Sequence, residues 1–289
     1  MPLDQDPIED GLEKEMSFLE HLEELRWHIV RALVAVIVFT IVAFVIAPWV
    51  FENIITAPAR ADFATFQVMC KFGKILGTEG FCVEDIPFKM QNRLMTGQFS
   101  MHILASFTIG LIIAFPYVVW EIWRFIRPGL YNRERRYSRG AVASISFLFL
   151  GGILFGYYVL APLMVYFLAT YSISDMIVNE FDITSYVSTI VAVVFGSGLL
   201  FQLPVVIYFL TKMGIVSPAF LRKYRKHSVI GILIIAAIVT PPDPISQTII
   251  AIPLYLLFEI SIAIAARVEK AKLKEEEEER LREEKNSAI

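Results

Sequence analysis

The residues of this chain that could do chemistry are acids and amides placed within or beside long apolar runs. Glu24 precedes the first run, Gln202 lies inside the fourth, and Glu259 lies inside the sixth. Thr240, Asp243 and Gln247 flank the turn between the fifth and sixth runs. Glu134 is a single acid among six arginines, Arg124, Arg127, Arg133, Arg135, Arg136 and Arg139. An ionisable group in an apolar span is costly, so it faces a wet cavity or a partner, or snorkels when it is near an end. Glu259 sits about two turns from the end of its run, and both readings stay open for it. For Glu134 the plain alternative to a binding role is neutralisation of its arginine cluster. Gln202 is followed by Leu203-Pro204, and the proline frees a carbonyl near the preceding turn, so its amide can pair there or with another helix. Catalysis finds little support. His21, His28, His102 and His227 are scattered without ligand spacing, and no Gly-rich phosphate loop or nucleophile–base pair is present. The expectation is a non-enzymatic protein without cofactor or metal.

Six apolar segments must position these groups, at roughly residues 29–46, 100–119, 141–167, 186–210, 228–239 and 249–266. The basic residues alternate across the stretches between them. With Arg31 assigned to the N-terminal stretch, the odd-numbered stretches hold all the Lys and Arg except Arg60, Lys71, Lys74, Lys89 and Arg93, which lie in the second; the fourth and sixth hold none. Lys and Arg near spans are retained in the cytoplasm. This pattern predicts an all-α integral membrane protein with six transmembrane helices and both termini cytoplasmic. With 56% hydrophobic residues and a mean hydropathy of +0.60, the composition lies outside the usual globular range. The acidic N-terminus and the acidic run at residues 275–279 offset the basic loops, so the net charge is only -3. No basic stripe lies away from the membrane flanks, which argues against a nucleic-acid partner. The first 25 or so residues are polar and acidic, unlike a cleavable signal peptide. Residues 1–267 read as one membrane domain, followed by a charged cytoplasmic tail over 268–289.

The segments differ in reach. About 20 apolar residues cross a ~30 Å hydrocarbon core, whereas Ser228–Val239 reaches only ~18 Å before Thr240-Pro-Pro-Asp-Pro244 ends it. Either the bilayer thins there, or polar backbone enters a cavity walled by protein. Pro58, Gln202, Asp243 and this short segment are expected to build a concave, water-accessible outer face. The outer stretch 47–99 also holds Cys70 and Cys82, the two cysteines of the chain. Thiols on the oxidising side of a bacterial inner membrane readily pair, and two unrelated thiols in a variable loop are the alternative.

Just before the first span, Phe18, Leu22, Leu25 and Ile29 fall on one helical face. In this region the chain resembles the TatC family, the polytopic core subunits of the twin-arginine protein translocase. Four motifs carry the resemblance: His21-Leu-Glu-Glu-Leu-Arg26; Trp123-Arg-Phe-Ile-Arg-Pro-Gly-Leu-Tyr131 with Glu134-Arg-Arg136; Phe201-Gln-Leu-Pro-Val205; and Thr240-Pro-Pro-Asp-Pro-Ile-Ser-Gln247, running on to Ile252-Pro253 and Phe258-Glu259. They stand in family order over about residues 15 to 267. The resemblance implies a receptor in the bacterial inner membrane for signal peptides that bear two adjacent arginines on folded cargo. It also implies single-span partner subunits TatA and TatB, further TatC copies, and transport driven by the proton-motive force. It places Glu24 and Glu134 as the acids that grip the two guanidinium forks, with Arg26 and Phe125 shaping the site. Thr240 and Gln247 are expected to hydrogen-bond partner helices. The chain departs from the pattern in its long outer loop and at Gln202, where the family often has Glu; a Gln hydrogen-bonds but does not titrate. An ion-coupled small-solute transporter using Glu259 and Asp243 is the alternative class, but such transporters show internal repeats with paired broken helices, and no matching halves are visible.

Overall fold

The computed structural model describes residues 18–77, 82–83, 85–126, 138–174, 176–177, 179–239 and 244–287. Helix α1 (Phe18–Val45) is followed by the short α2 (Ala47–Val50), a π-turn over Phe51–Ile55 and a 3-10 turn over Ala57–Ala59. Helix α3 (Ala64–Ile75) and strand β1 (Lys89–Gln91) lead into α4 (Gly97–Ile126). The third long segment is α5 (Ser138–Phe155), a π-turn over Gly156–Leu160, and α6 (Ala161–Thr170). Strand β2 (Glu180–Asp182) precedes α7 (Ile183–Leu200) and α8 (Leu203–Lys212). The short α9 (Pro218–Lys223) and then α10 (Arg225–Val239) and α11 (Pro244–Ser287) complete the order.

Five stretches among the described residues are long and apolar enough to cross a membrane: Glu23–Val45, Gly97–Ile126, Gly140–Thr170, Ile183–Lys212 and Gln247–Lys274. The chain is a multi-pass membrane protein. The fifth apolar segment forms α10, whose 15 residues reach only ~22 Å, below the length of a full crossing. The fourth segment is interrupted at Phe201–Gln202 because Pro204 cannot donate to the carbonyl four residues back; α8 restarts with that proline in its first turn.

Between helices in lipid there is no hydrophobic driving force, so close approach depends on small residues. α1 packs along α4 in antiparallel register, and Gly110 sets the distance. A Cβ there would stand 2.7 Å from the Cα of Thr40. Gly152 of α5 meets Ser197 and Gly198 of α7, Gly156 at the start of the following π-turn meets Ser197 and Val194, and the Ser197 hydroxyl donates to the Gly152 carbonyl at 2.7 Å. A second layer forms where α8 and α10 pack on α11 around Ile207, Ile232, Leu254 and Phe258.

One end of the bundle carries a cap. The hydroxyls of Tyr157 and Tyr186 donate to the carbonyls of Ile54 and Ile55 at 2.9 Å each, satisfying backbone groups of the π-turn. Cys70 of α3 is bridged to Cys82, and Phe63, Phe66, Ile86 and Ala169 form a small core beside the bridge. Strands β1 and β2 pair in parallel, with Met90 opposite Phe181. Asp182 caps α7, and the Thr184 hydroxyl, with the amides of Arg93 and Thr184, holds its carboxyl below the usual carboxylate range.

Candidate functional site

The end of the bundle opposite the cap holds a polar cluster between α1 and α4. The register runs through Phe44 stacked on His102, Thr40 against Gly110, and His28 against Glu121. Glu121 has only 1% of its surface exposed. A buried carboxylate persists where its oxygens are paired, and both are: Oε2 lies 2.5 Å from His28 Nδ1, and Oε1 accepts the Tyr117 hydroxyl at 2.8 Å. The other ring nitrogen, His28 Nε2, faces Glu24 Oε1 at 3.9 Å. Glu24 keeps about a third of its side chain open, and its buried Oε2 finds no hydrogen-bond partner. The Phe125 ring is tilted against His28, with centroids 6.2 Å apart. An apolar groove of about 300 Å³ descends from here between the two helices, past Leu25, Ile29, Leu33, Leu111 and Ile122.

The arrangement can attract a cation. An acid with about a third of its side chain open stands one helical turn from a buried ring, and that ring is anchored to a second acid. Arg26 does not join this cluster. It points away toward Glu23 at 3.7 Å and lies over Trp27. Glu134 lies outside the described residues. Sequence reasoning missed Glu121 and His28. It ended the second span at Val119, whereas α4 runs on for two turns to Ile126 and carries Glu121 into the helix pair. The available signal was Tyr117, four residues before Glu121 on the same face.

A second polar group lies between α10 and α11. Arg225 Nη2 donates to Glu259 Oε2 at 2.8 Å, and the Tyr255 hydroxyl donates to Oε1 at 3.0 Å. Glu259 is thus an ion-paired acid beside the half-exposed Arg225, and both of its oxygens have donors. The Gln247 side chain donates to the Leu233 carbonyl of α10 at 3.0 Å, so one of its donors is used within the chain. Thr240 and Asp243 lie outside the described residues.

The expected outer cavity is not assembled from Pro58 and Gln202. Pro58 is fully buried in its 3-10 turn, which packs on α6. Gln202 instead donates to the Ile145 carbonyl of α5 at 3.3 Å. Ile145 and the start of α6 at Ala161 are 16 residues apart on one nearly continuous helical segment, about 24 Å. The two residues therefore sit at different depths. The Oε1 of Gln202 is buried without a partner, and an apolar pocket of about 390 Å³ bounded by Ser144, Leu148, Pro204 and Tyr208 lies between α5 and α8.

Comparison with known proteins agrees with this architecture. The family model for TatC, Sec-independent protein translocase protein, matches residues 20–253. The chain is 40% identical over 260 residues to the Sec-independent protein translocase protein TatC of Blattabacterium sp. subsp. Periplaneta americana, covering 89% of this chain and 98% of that relative. It is 33% identical over 252 residues to TatCy of Bacillus subtilis, covering 87% and 89%. The crystal structure of a twin-arginine translocase receptor, TatC, superposes with a TM-score of 0.66 at 30% identity, covering 86% of this chain and 99% of that one. A second crystal structure of that receptor, in DDM, gives a TM-score of 0.68. On a family match across most of its length, in sequence and in fold, the chain belongs to the TatC family of Sec-independent protein translocase proteins.

Proposed function

We propose that the chain is the receptor and core subunit of a twin-arginine translocase, which binds twin-arginine signal peptides of folded proteins for export across the bacterial inner membrane. The observation that carries this reading is Glu24. It sits in the His21–Arg26 motif at the membrane edge, with one carboxylate oxygen unpaired and a second acid close behind. An arginine fork offers a carboxylate paired, charge-assisted hydrogen bonds that a lysine cannot reproduce. Glu134, in the neighbouring arginine-rich stretch, takes the second guanidinium, and Phe125 walls the site. In this reading the helices make six crossings with both termini cytoplasmic, the short α10 included, and residues 1–267 act as one membrane domain. The partners are TatA and TatB helices docking near Thr240 and Gln247, further TatC copies, and the surrounding phospholipid; the proton-motive force drives transport. No step requires a nucleophile or a cofactor.

The test is binding of a fluorescent twin-arginine peptide to the purified protein, compared with a twin-lysine version. Glu24→Gln and Glu134→Gln should each weaken twin-arginine binding while leaving assembly intact, with the larger loss at Glu134. Wild-type binding by the double variant would remove the basis for the assignment.

A further inference from the structure

His28 stands between two carboxylates that play different parts. Glu121 is the one acid buried among the described residues, and its two oxygens are taken by His28 Nδ1 and the Tyr117 hydroxyl. It has no lone oxygen to offer a peptide guanidinium. Its hydrogen bond instead fixes the imidazole, because the ring can place Nδ1 on Glu121 only by directing Nε2 toward Glu24 Oε1, 3.9 Å away. What Nε2 carries then decides what an incoming cation meets. With a proton on both nitrogens the ring is an imidazolium that pairs with Glu24 and repels a guanidinium. With a proton on Nδ1 alone, a lone pair faces Glu24, and the carboxylate keeps its full charge for a ligand.

We infer that His28, held by Glu121 and Tyr117, is a positioning residue that sets the availability of Glu24, so that a signal-peptide arginine and a proton on His28 Nε2 exclude each other. This rests on the reading of Glu24 as a guanidinium acceptor. Among the described residues, the charged and titratable groups around the ring are Glu24 and Arg31 on α1, and Tyr117, Glu121 and Arg124 on α4. Occupation of the site by an arginine therefore releases a proton, and affinity rises with pH. A proton bound only in the empty state weakens ligand binding wherever that state is populated, by at most tenfold per pH unit.

The experiment measures binding of a fluorescent twin-arginine peptide to the full chain in nanodiscs between pH 5.5 and 7.5. Wild type, His28→Gln, Glu121→Gln and Glu24→Gln are compared. Wild-type affinity should tighten about three- to tenfold over this interval. His28→Gln keeps an amide donor for Glu121 and should show a flat profile. Glu121→Gln is isosteric and replaces the carboxylate that fixes the ring, so its pH profile should depart from that of wild type, most at pH 5.5. A structural role alone would lower affinity by the same factor at every pH. Parallel profiles in wild type and His28→Gln would overturn the inference, and if that variant does not fold, an unshifted Glu121→Gln profile does the same. Failure of the underlying reading looks different: Glu24→Gln would then bind as wild type at pH 7.5, and the inference would fall with it.

Discussion

The acids of α4 and α11 share one local construction and differ in what surrounds it. Glu121 and Glu259 each follow a tyrosine by four residues, and each accepts that hydroxyl, at 2.8 and 3.0 Å. Each also meets a basic side chain from another helix, His28 at 2.5 Å and Arg225 at 2.8 Å. The Glu121 pair is sealed, with side-chain exposures of 6% for His28 and 1% for Glu121. The Glu259 pair is open, with 47% for Arg225 and 30% for Glu259. A sealed pair has no water to fall back on when one member is lost, whereas an open pair can turn to solvent or headgroups. The same motif is therefore a structural commitment in one place and an adjustable surface contact in the other.

The sharpest way to break this comparison is to remove one member of the sealed pair. His28→Leu leaves Glu121 buried with only the Tyr117 hydroxyl and should cost about 3–5 kcal/mol, read as a fall in the unfolding midpoint in denaturing detergent. Adding Glu121→Leu to it should recover most of that loss, because an apolar pair of similar volume removes the stranded charge. No recovery in the double variant would show that the cluster holds the fold by more than mutual compensation.

A smaller effect is expected from prising the two helices apart at a distance from the acids. Gly110→Val places methyl groups against the backbone of Thr40 and should destabilise by about 1–3 kcal/mol through overpacking. Because α1 and α4 share one register, crosslinking between cysteines placed near His28 and Glu121 should also fall, while crosslinking between α10 and α11 stays unchanged. Equal loss at both sites would mean that the two polar groups are not independent. The smallest effect belongs to the open pair: Arg225→Met should change stability by no more than about 1 kcal/mol. A loss there as large as that of His28→Leu would erase the distinction drawn from burial.

Much of the scaffold was legible in the chain. Apolar runs of sufficient length, the break before Pro204, the short segment that became α10 and the motif order that identifies the family all follow from local composition and spacing. The placement of Glu24 at the start of a helix apolar enough to cross a membrane was legible for the same reason, since it is set by where an apolar run begins. Pairings were not. Glu121 looks like a loop residue until α4 is seen to continue beneath α1, and its partner lies 93 residues away in the chain. Gln202 finds its acceptor 57 residues back on α5, and Glu259 finds its cation 34 residues back on α10. Pro58 is polar-facing in a sequence reading and buried in the fold because α6 happens to cover its turn.

The sequence by itself determined which segments are apolar enough to enter lipid, because transfer of a helix from water depends on its own side chains and its own satisfied backbone. Only the tertiary structure decided which polar groups are sealed and which stay open, because that depends on how closely two helices approach. The approach of α1 to α4 turns on one residue without a side chain, Gly110, whose partner Thr40 is 70 positions earlier.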